Sequence, residues 1–550
     1  MKTAVDHRRR YRQRLKTLSQ IAGFVASIAF LNALMNFSYP SGDNQIGQLM
    51  LISPEIFVVL ILVALAACLR LPVHPGLYLP ATLFVIFLRL FRLADSLVPT
   101  YFFRPFNLYL DSQFLPDLIF LLYSTVPLKT FTLGCLLAVS ALGLITWGVA
   151  RALKTIYVFI SNRRRSGIFA TTAVLLGILL YSPQPWTQGQ AAHVFAPGIL
   201  HRVAAEFDFI LHLSATIKKH QAALDKAVQK GRTFPRPLAK LDGSDVYVFF
   251  IESYGHAVFG DSRHSALIIP YLEDAENRLA GQSYLTCSNF LISPAYGGSS
   301  WLTHAALASG VAINGQLHYD LLLTSPVQPM AEYFNRAGYR TVSVMPGTIW
   351  PWPSGDFYKY KKKYYAPDFD YRGRKFGWAP MTDQYVLDAV YRAEIQKRSE
   401  PLFIEFVLIS SHAPFNEMPR YIVDWSKIGD GAIYQHLEPI RFPVIWPELE
   451  NASEAYVTSI IYDWQVLVGF MERTAANDQI IIILGDHQPS LKITGENQPW
   501  SVPVHIISRN PSLVEPFISR GYTPGLIPSQ PLPHPGVESL LWGLLEDFSL

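Results

Sequence analysis

The sequence predicts two architectures in one chain: a multi-span α-helical membrane domain over residues 1–182, and an α/β domain with a mainly parallel sheet flanked by helices over residues 241–550. Three observations predict it. Charge is divided unevenly: residues 1–182 hold 17 Lys and Arg against 6 Asp and Glu, whereas residues 183–550 hold 29 against 36. Long apolar runs fill the first part. Beyond Lys240 the pattern changes to short β-rich runs separated by longer helical stretches. The overall net charge of +4 conceals a +11 segment and a −7 segment. With 13% aromatic and 16% charged residues the chain is not disordered. Three Cys exclude a disulfide framework.

The membrane domain is predicted from length. Between Thr17 and Ala150 only ten residues are charged, and the apolar runs are Ile21–Met35, Met50–Leu69, Leu77–Leu93 and Phe131–Ala150, with Ile168–Tyr181 beyond them. A spanning helix needs about 20 residues. The second and fourth runs meet this directly, the third just does, and the first and fifth do so with flanking residues, which gives five spans. Phe114–Ser124, interrupted by Pro116 and Asp117, reads as interfacial.

Orientation follows from Lys and Arg. Lys2, Arg8, Arg9, Arg10, Arg12, Arg14 and Lys16 precede the first span; Arg151, Lys154, Arg163, Arg164 and Arg165 precede the fifth; Phe37–Gln48 has no basic residue. Five spans from a cytoplasmic start leave the remainder outside the cytoplasm. The basic charge is thus a topology signal, not a nucleic-acid patch. The first run is followed by further spans without a small-x-small site, so a cleaved signal peptide is not expected. Cys68 and Cys135 fall in spans and Cys287 is alone outside. Arg89, Arg92 and Asp95 lie at the outer end of the third span; they read first as arginines snorkelling to the interface and second as a site for an anionic lipid phosphate.

Residues 183–240 read as a Pro- and Gln-rich linker followed by a connecting amphipathic helix over His201–Lys230. The predicted strands beyond it are Val246–Ile251, Thr341–Met345, Leu402–Ile409, Gln479–Leu484 and Val502–Ile507. Near-continuous apolar runs mean strands buried on both faces, hence a mainly parallel sheet. Such sheets bind ligands beyond the carboxyl ends of their strands. There is no glycine-rich dinucleotide or P-loop motif.

Four elements end at that edge. The first run stops at Glu252, an acid that serves either as a cap or as a functional group. The fourth stops at Gly485-Asp486-His487, an oxygen and a nitrogen ligand suited to zinc or manganese. The third leads into Ser410-Ser411-His412-Ala413-Pro414. Finally, Gly297-Gly298-Ser299-Ser300 opens a helix that ends at Ser309-Gly310. Its hydroxyls read as an N-cap or as a nucleophile, because a helix N-terminus and a nearby metal both stabilise an anion there.

This order resembles the alkaline-phosphatase-like superfamily in its sulfatase-type branch, and within it the membrane-anchored headgroup transferases: lipoteichoic acid synthases, phosphoethanolamine transferases and the phosphoglycerol transferase of periplasmic glucans. The motifs span Asp245–Asn510. The resemblance implies a transferase that moves a phosphoglycerol or phosphoethanolamine headgroup from a phospholipid donor, through a phospho-serine-type intermediate, to an envelope glycan or lipid acceptor. It places the chain in the bacterial inner membrane with the α/β domain on the periplasmic side. It implies one divalent ion, zinc or manganese with magnesium as a further candidate, held by Glu252, Ser300, Asp486 and His487. The nucleophile falls on Ser300, with Ser299 as the fallback if the loop is shifted by one. His412 holds the substrate phosphate or protonates the leaving group.

Two departures from the family pattern matter. Formylglycine sulfatases need proline two and arginine four residues after the nucleophile; here Leu302 and His304 stand there, which argues against a sulfatase. Lipid A transferases often carry a second histidine after the Asp-His pair, and Ile493–Trp500 has none. A hydrolase with the same site is the alternative, followed by a non-catalytic scaffold. His304, one helical turn after Ser300, reads as a core histidine or a substrate contact. Trp350 and Trp352 follow the second predicted strand and read as pocket wall or bilayer contact. The basic run Tyr358–Tyr365 reads as a grip on anionic headgroups or as a solvated face, and His505 as structural.

Overall fold

The computed structural model describes residues 2–37, 45–68, 78–102, 104–161, 171, 196, 198–444, 449, 451–475, 478–495 and 498–550. The chain divides into two compact units, residues 1–100 with 104–212, and residues 213–550 with 101–103. The first is helical. Its main helices are Lys2–Asn36, Pro54–Cys68, Tyr78–Phe102 and Leu128–Ile160. Among the described residues two segments are long and apolar enough to cross a bilayer, Tyr11–Asn36 and Leu128–Ile160, and Pro54–Leu65 is a shorter apolar helix. The fifth predicted span, Ile168–Tyr181, lies outside the described residues apart from Thr171.

Two differences from the sequence reading have local causes. The second apolar run does not form one helix: it breaks at Leu51–Ser53, where Asn32 Nδ2 donates to the Leu51 carbonyl (2.8 Å), Asn32 Oδ1 accepts from the Ser53 amide (2.8 Å), and Pro54 starts the next helix. Proline suits a first helical position because it lacks the amide that would be left unpaired there. The fourth helix runs ten residues past Ala150, through Arg151 and Lys154, to Ile160.

The second unit is an α/β domain with ten strands among the described residues: β1 Asp245–Ile251, β2 Leu285–Ile292, β3 Arg340–Met345, β4 Lys362–Tyr365, β5 Leu402–Leu408, β6 Glu417–Met418, β7 Ile440–Arg441, β8 Gln479–Gly485, β9 Ser501–Ser508 and β10 Thr523–Pro524. Eight form one sheet in the order β10-β2-β9-β8-β1-β5-β3-β4. The run from β8 to β4 is parallel and the pairs from β8 to β10 are antiparallel. All five predicted strands are present. The three additional strands of this sheet lack an apolar run: β2 carries Ser288 and Asn289, β4 is Lys-Lys-Tyr-Tyr, and β10 is two residues long. The basic run therefore forms an edge strand. Its lysines are engaged locally: Lys361 Nζ donates to the Tyr339 carbonyl, Lys362 lies over the Tyr364 ring and Lys363 pairs with Asp356.

β1 is wholly buried, and its side chains alternate between two cores. Tyr247, Phe249 and Ile251 pack toward helices Ser262–Ala280 and Ser453–Thr474; Val246, Val248 and Phe250 pack toward helices Ser300–Ser309 and Ser539–Phe548. Register then sets the site. Ile251 is level with Gly485 on one side and Leu408 on the other, so Glu252, Asp486 and the Ser410–His412 segment leave the sheet side by side.

Candidate metal and nucleophile site

Glu252 follows the last residue of β1, and Asp486 and His487 follow β8. Gly485 makes this approach possible: a Cβ there would lie 1.8 Å from the Tyr254 carbonyl oxygen. Asp486 divides its two oxygens. Oδ1 accepts from the amides of Ser253 (2.8 Å) and His487 (2.7 Å), while Oδ2 is buried without a hydrogen-bond partner. His487 Nδ1 lies 2.7 Å from the Gln488 carbonyl, so it carries a proton that donates there and turns Nε2 inward, a bare nitrogen whenever the ring is neutral. That Nε2 lies 3.2 Å from Glu252 Oε1, 3.6 Å from Asp486 Oδ2 and 3.2 Å from Ser300 Oγ.

One ligand atom from each of Glu252, Asp486 and His487 lies within 4.8 Å of the others. A lone pair facing two carboxylate oxygens in a buried pocket requires a positive charge between them, either a proton or a cation. The titration behaviour expresses the same demand. Burial and then the charge of Glu252 push Asp486 up to about 7. Burial disfavours the His487 cation, but Asp486 and Glu252 raise it to about 9. Burial would raise Glu252 as well, yet His487, with His412 beyond it, holds it well below the usual carboxylate range. One imidazole nitrogen, two carboxylates and an orphaned buried oxygen fit a divalent ion such as zinc or manganese.

Ser300 is brought here by a turn with φ of 68° at Gly297, 144° at Gly298 and 66° at Ser299. The Gly297 amide donates to the Gln488 carbonyl (2.9 Å), the same oxygen that fixes the His487 ring. Ser300 then opens the helix Ser300–Ser309, and its Oγ lies 3.5 Å from Glu252 Oε2. Ser299 makes no side-chain cap bond. Ser293 Oγ ties the helix down, reaching Thr303 Oγ1 (2.8 Å) and the Asp486 carbonyl (2.6 Å).

His412 is half-buried. Its Nδ1 lies 2.7 Å from the Ala413 carbonyl, and its ring stacks on Trp378 at 4.2 Å. His304 is 6% exposed, packs against Phe250, and sets Nδ1 3.4 Å from Glu405 Oε1. Trp350 is 57% exposed. His505 is fully buried, with its nitrogens 3.1 Å from Tyr254 Oη and 2.8 Å from Ser288 Oγ.

Three contributors escaped the sequence reading. Trp378 stacks on His412 from a loop with no periodic signal. Asp383 accepts from the amides of Ile409 (3.0 Å) and Ser410 (2.6 Å), fixing the segment before His412 from 26 residues away. Glu405, which also accepts from Tyr360 Oη (2.8 Å), was detectable as an acid inside an apolar run.

Residues 251–510 match the sulfatase family model and form a sulfatase-family domain. Its architecture is a mostly parallel sheet between helices. Among curated proteins nothing matches the chain. Among solved structures, the chain is similar to lipooligosaccharide phosphoethanolamine transferase A of Neisseria meningitidis, at 12% identity over 95% of each chain with a TM-score of 0.43. It is also similar to the phosphoglycerol transferase GacH of Streptococcus pyogenes, at 12% identity over 61% of this chain and 91% of that one, TM-score 0.37. A third likeness is to the lipoteichoic acid synthase LtaP of Listeria monocytogenes, at 13% identity over 49% and 66%, TM-score 0.34.

Proposed function

We propose that the protein is a metal-dependent transferase that moves a phospholipid headgroup, phosphoglycerol or phosphoethanolamine, through a phospho-serine intermediate to an envelope glycan or lipid acceptor. The carrying observation is the approach of Ser300 Oγ to Glu252 Oε2 and His487 Nε2 within a buried three-ligand cluster. Glu252, Asp486 and His487 would hold the divalent ion, with Ser300 completing the set. When bound, the ion neutralises the carboxylates and lowers the pKa of the adjacent hydroxyl.

Ser300 passes its hydroxyl proton to Glu252 Oε2, 3.5 Å away, and attacks the headgroup phosphorus: its Oγ–P bond forms as the bond to the diacylglycerol oxygen breaks. His412 in its protonated form gives that oxygen a proton from Nε2. In the return half, His412 Nε2 takes the proton of the acceptor hydroxyl as that oxygen displaces Ser300, which recovers from Glu252 the proton it gave up. His304, one helical turn after Ser300, would serve as a support or substrate contact, and the exposed Trp350 as a further substrate contact. Residues 1–182 would anchor the enzyme by about five spans in a bacterial inner membrane, with residues 183–240 as connection and 241–550 as a periplasmic catalytic domain.

The sulfatase-family match also favours a second reading, a hydrolase that passes the same intermediate to water. Leu302 and His304, at the positions of the formylglycine signature, weigh against a sulfatase. Headgroup transfer from labelled phospholipid by the full chain and its Ser300→Ala variant tests the proposal. A modified acceptor from the parent and none from the variant is expected. Equal turnover by the variant excludes Ser300, and free headgroup without a modified acceptor favours hydrolysis.

A further inference from the structure

The helical unit contains two arginines that make no hydrogen bond to a described residue. Arg89 and Arg92 stand three positions apart in helix Tyr78–Phe102 and so share a face. Both are half-buried. Arg92 Nη1 is buried with no hydrogen-bond partner. The Arg89 guanidinium lies 5.7 Å over the Phe37 ring, and neither arginine forms a hydrogen bond or ion pair with a described residue.

The nearby acids lend charge to the pair but make no hydrogen bond to either arginine, their oxygens being taken by other donors. Glu55, 2% exposed, accepts from the Ile199 amide at Oε1 (2.5 Å) and from Ser53 Oγ at Oε2 (2.7 Å). Asp95 pairs with Arg202 Nε at 3.0 Å, and Arg202 also donates to the Phe106 carbonyl. Asp111 pairs with Arg104, and Glu206 accepts from the Leu108 amide. Snorkelling does not account for the pair, because snorkelling brings the charged head to water and Arg92 Nη1 is buried. A guanidinium stays charged under all physiological conditions and is costly within an apolar helix bundle unless it meets an anion. Its planar fork fits phosphate oxygens.

We propose that Arg89 and Arg92 form a binding site for the phosphate of a membrane phospholipid. Phe37, 43% exposed, and Leu90, 50% exposed, offer apolar surface beside it for an acyl chain. The proposal rests on the membrane reading of the helical unit and not on the chemistry at Ser300.

The test uses the full chain in detergent, in a Ser300→Ala background so that no turnover intervenes. Native mass spectrometry measures binding of phosphatidylglycerol, of diacylglycerol, which lacks the phosphate, and of inorganic phosphate. Phosphatidylglycerol is expected to bind at least about tenfold more tightly than diacylglycerol, and Arg89→Gln with Arg92→Gln to remove that advantage. Should the double variant fail to fold by gel filtration, Arg92→Lys keeps the charge without the fork and is expected to weaken binding severalfold. Unchanged phosphatidylglycerol affinity in the folded variants, or equal binding of diacylglycerol, overturns the proposal. Displacement of the lipid by inorganic phosphate at matching concentration also overturns it, in favour of a free-phosphate site. Because no arm depends on catalysis, failure of the transferase reading leaves this result interpretable.

Discussion

The helical unit and the α/β unit treat buried charge in opposite ways. In the helical unit the acids have partners: Glu55 is held by Ser53 and the Ile199 amide, and Asp95 by Arg202. Two arginines are left over. In the α/β unit the acids are the surplus: Asp486 Oδ2 has no partner, and the lone pair of His487 Nε2 faces it and Glu252. One unit leaves a guanidinium donor unmet and the other a carboxylate oxygen. Buried groups left unsatisfied at this cost generally have a ligand, and the sign of the surplus indicates which kind.

The largest effects should come from breaking the acidic half. Ser300→Ala is expected to lower turnover by on the order of 10⁴- to 10⁶-fold, measured as headgroup transfer. Asp486→Asn should leave the folded protein unable to retain its divalent ion, measured as metal per chain by elemental analysis. Chelation of the parent should lower its melting temperature; an ion present at a hundred times its Kd contributes about 2.7 kcal/mol. His412→Gln should cost about 10²- to 10⁴-fold in turnover, as loss of a general acid does, and leave metal content unchanged.

A smaller effect separates two buried acids near His412. Asp383 accepts two backbone amides, whereas the Asp463 carboxyl is pushed well above the usual range by burial and then by the charge of Asp383. Asp463 is therefore the protonated partner. Asp463→Asn should be nearly neutral, and Asp383→Asn should destabilise by about 3 kcal/mol, read by thermal unfolding.

The smallest effect is a slope. Burial lowers the His505 imidazole to about 3 from 6.5, so below pH 6.5 the unfolded chain binds a proton that the folded chain does not. Its contribution to stability is complete above pH 6.5 and is lost as pH falls towards 3. His505→Gln should flatten the acid limb of melting temperature against pH, by up to ~1.4 kcal/mol per pH unit.

The two units were also unequally legible. Glu252, Asp486, His487 and His412 stand where apolar runs stop, and a parallel sheet collects such ends at one edge, so sequence order alone locates them. Trp378 and Asp383 reach the site from loop and helix positions far from it in sequence, and only the folded register of β5 against β1 brings the segment they hold into place. β2 and β10 escaped because their pairing is antiparallel at the sheet edge, where polar residues such as Ser288 take side-chain hydrogen bonds. In the helical unit, hydropathy gave run lengths but not breaks: Asn32 and Pro54 end one helix and start another inside a single apolar run. Likewise, composition gave no sign that Arg92 lacks a partner.

The most direct test of the central claim is peptide mapping of the full chain after rapid quenching with a phospholipid whose headgroup carries an isotope label. A headgroup mass localised to Ser300, absent after Ser300→Ala and absent after metal removal, is the predicted result. Continued transfer with the label on no residue, or on Ser299 or any residue other than Ser300, would contradict it.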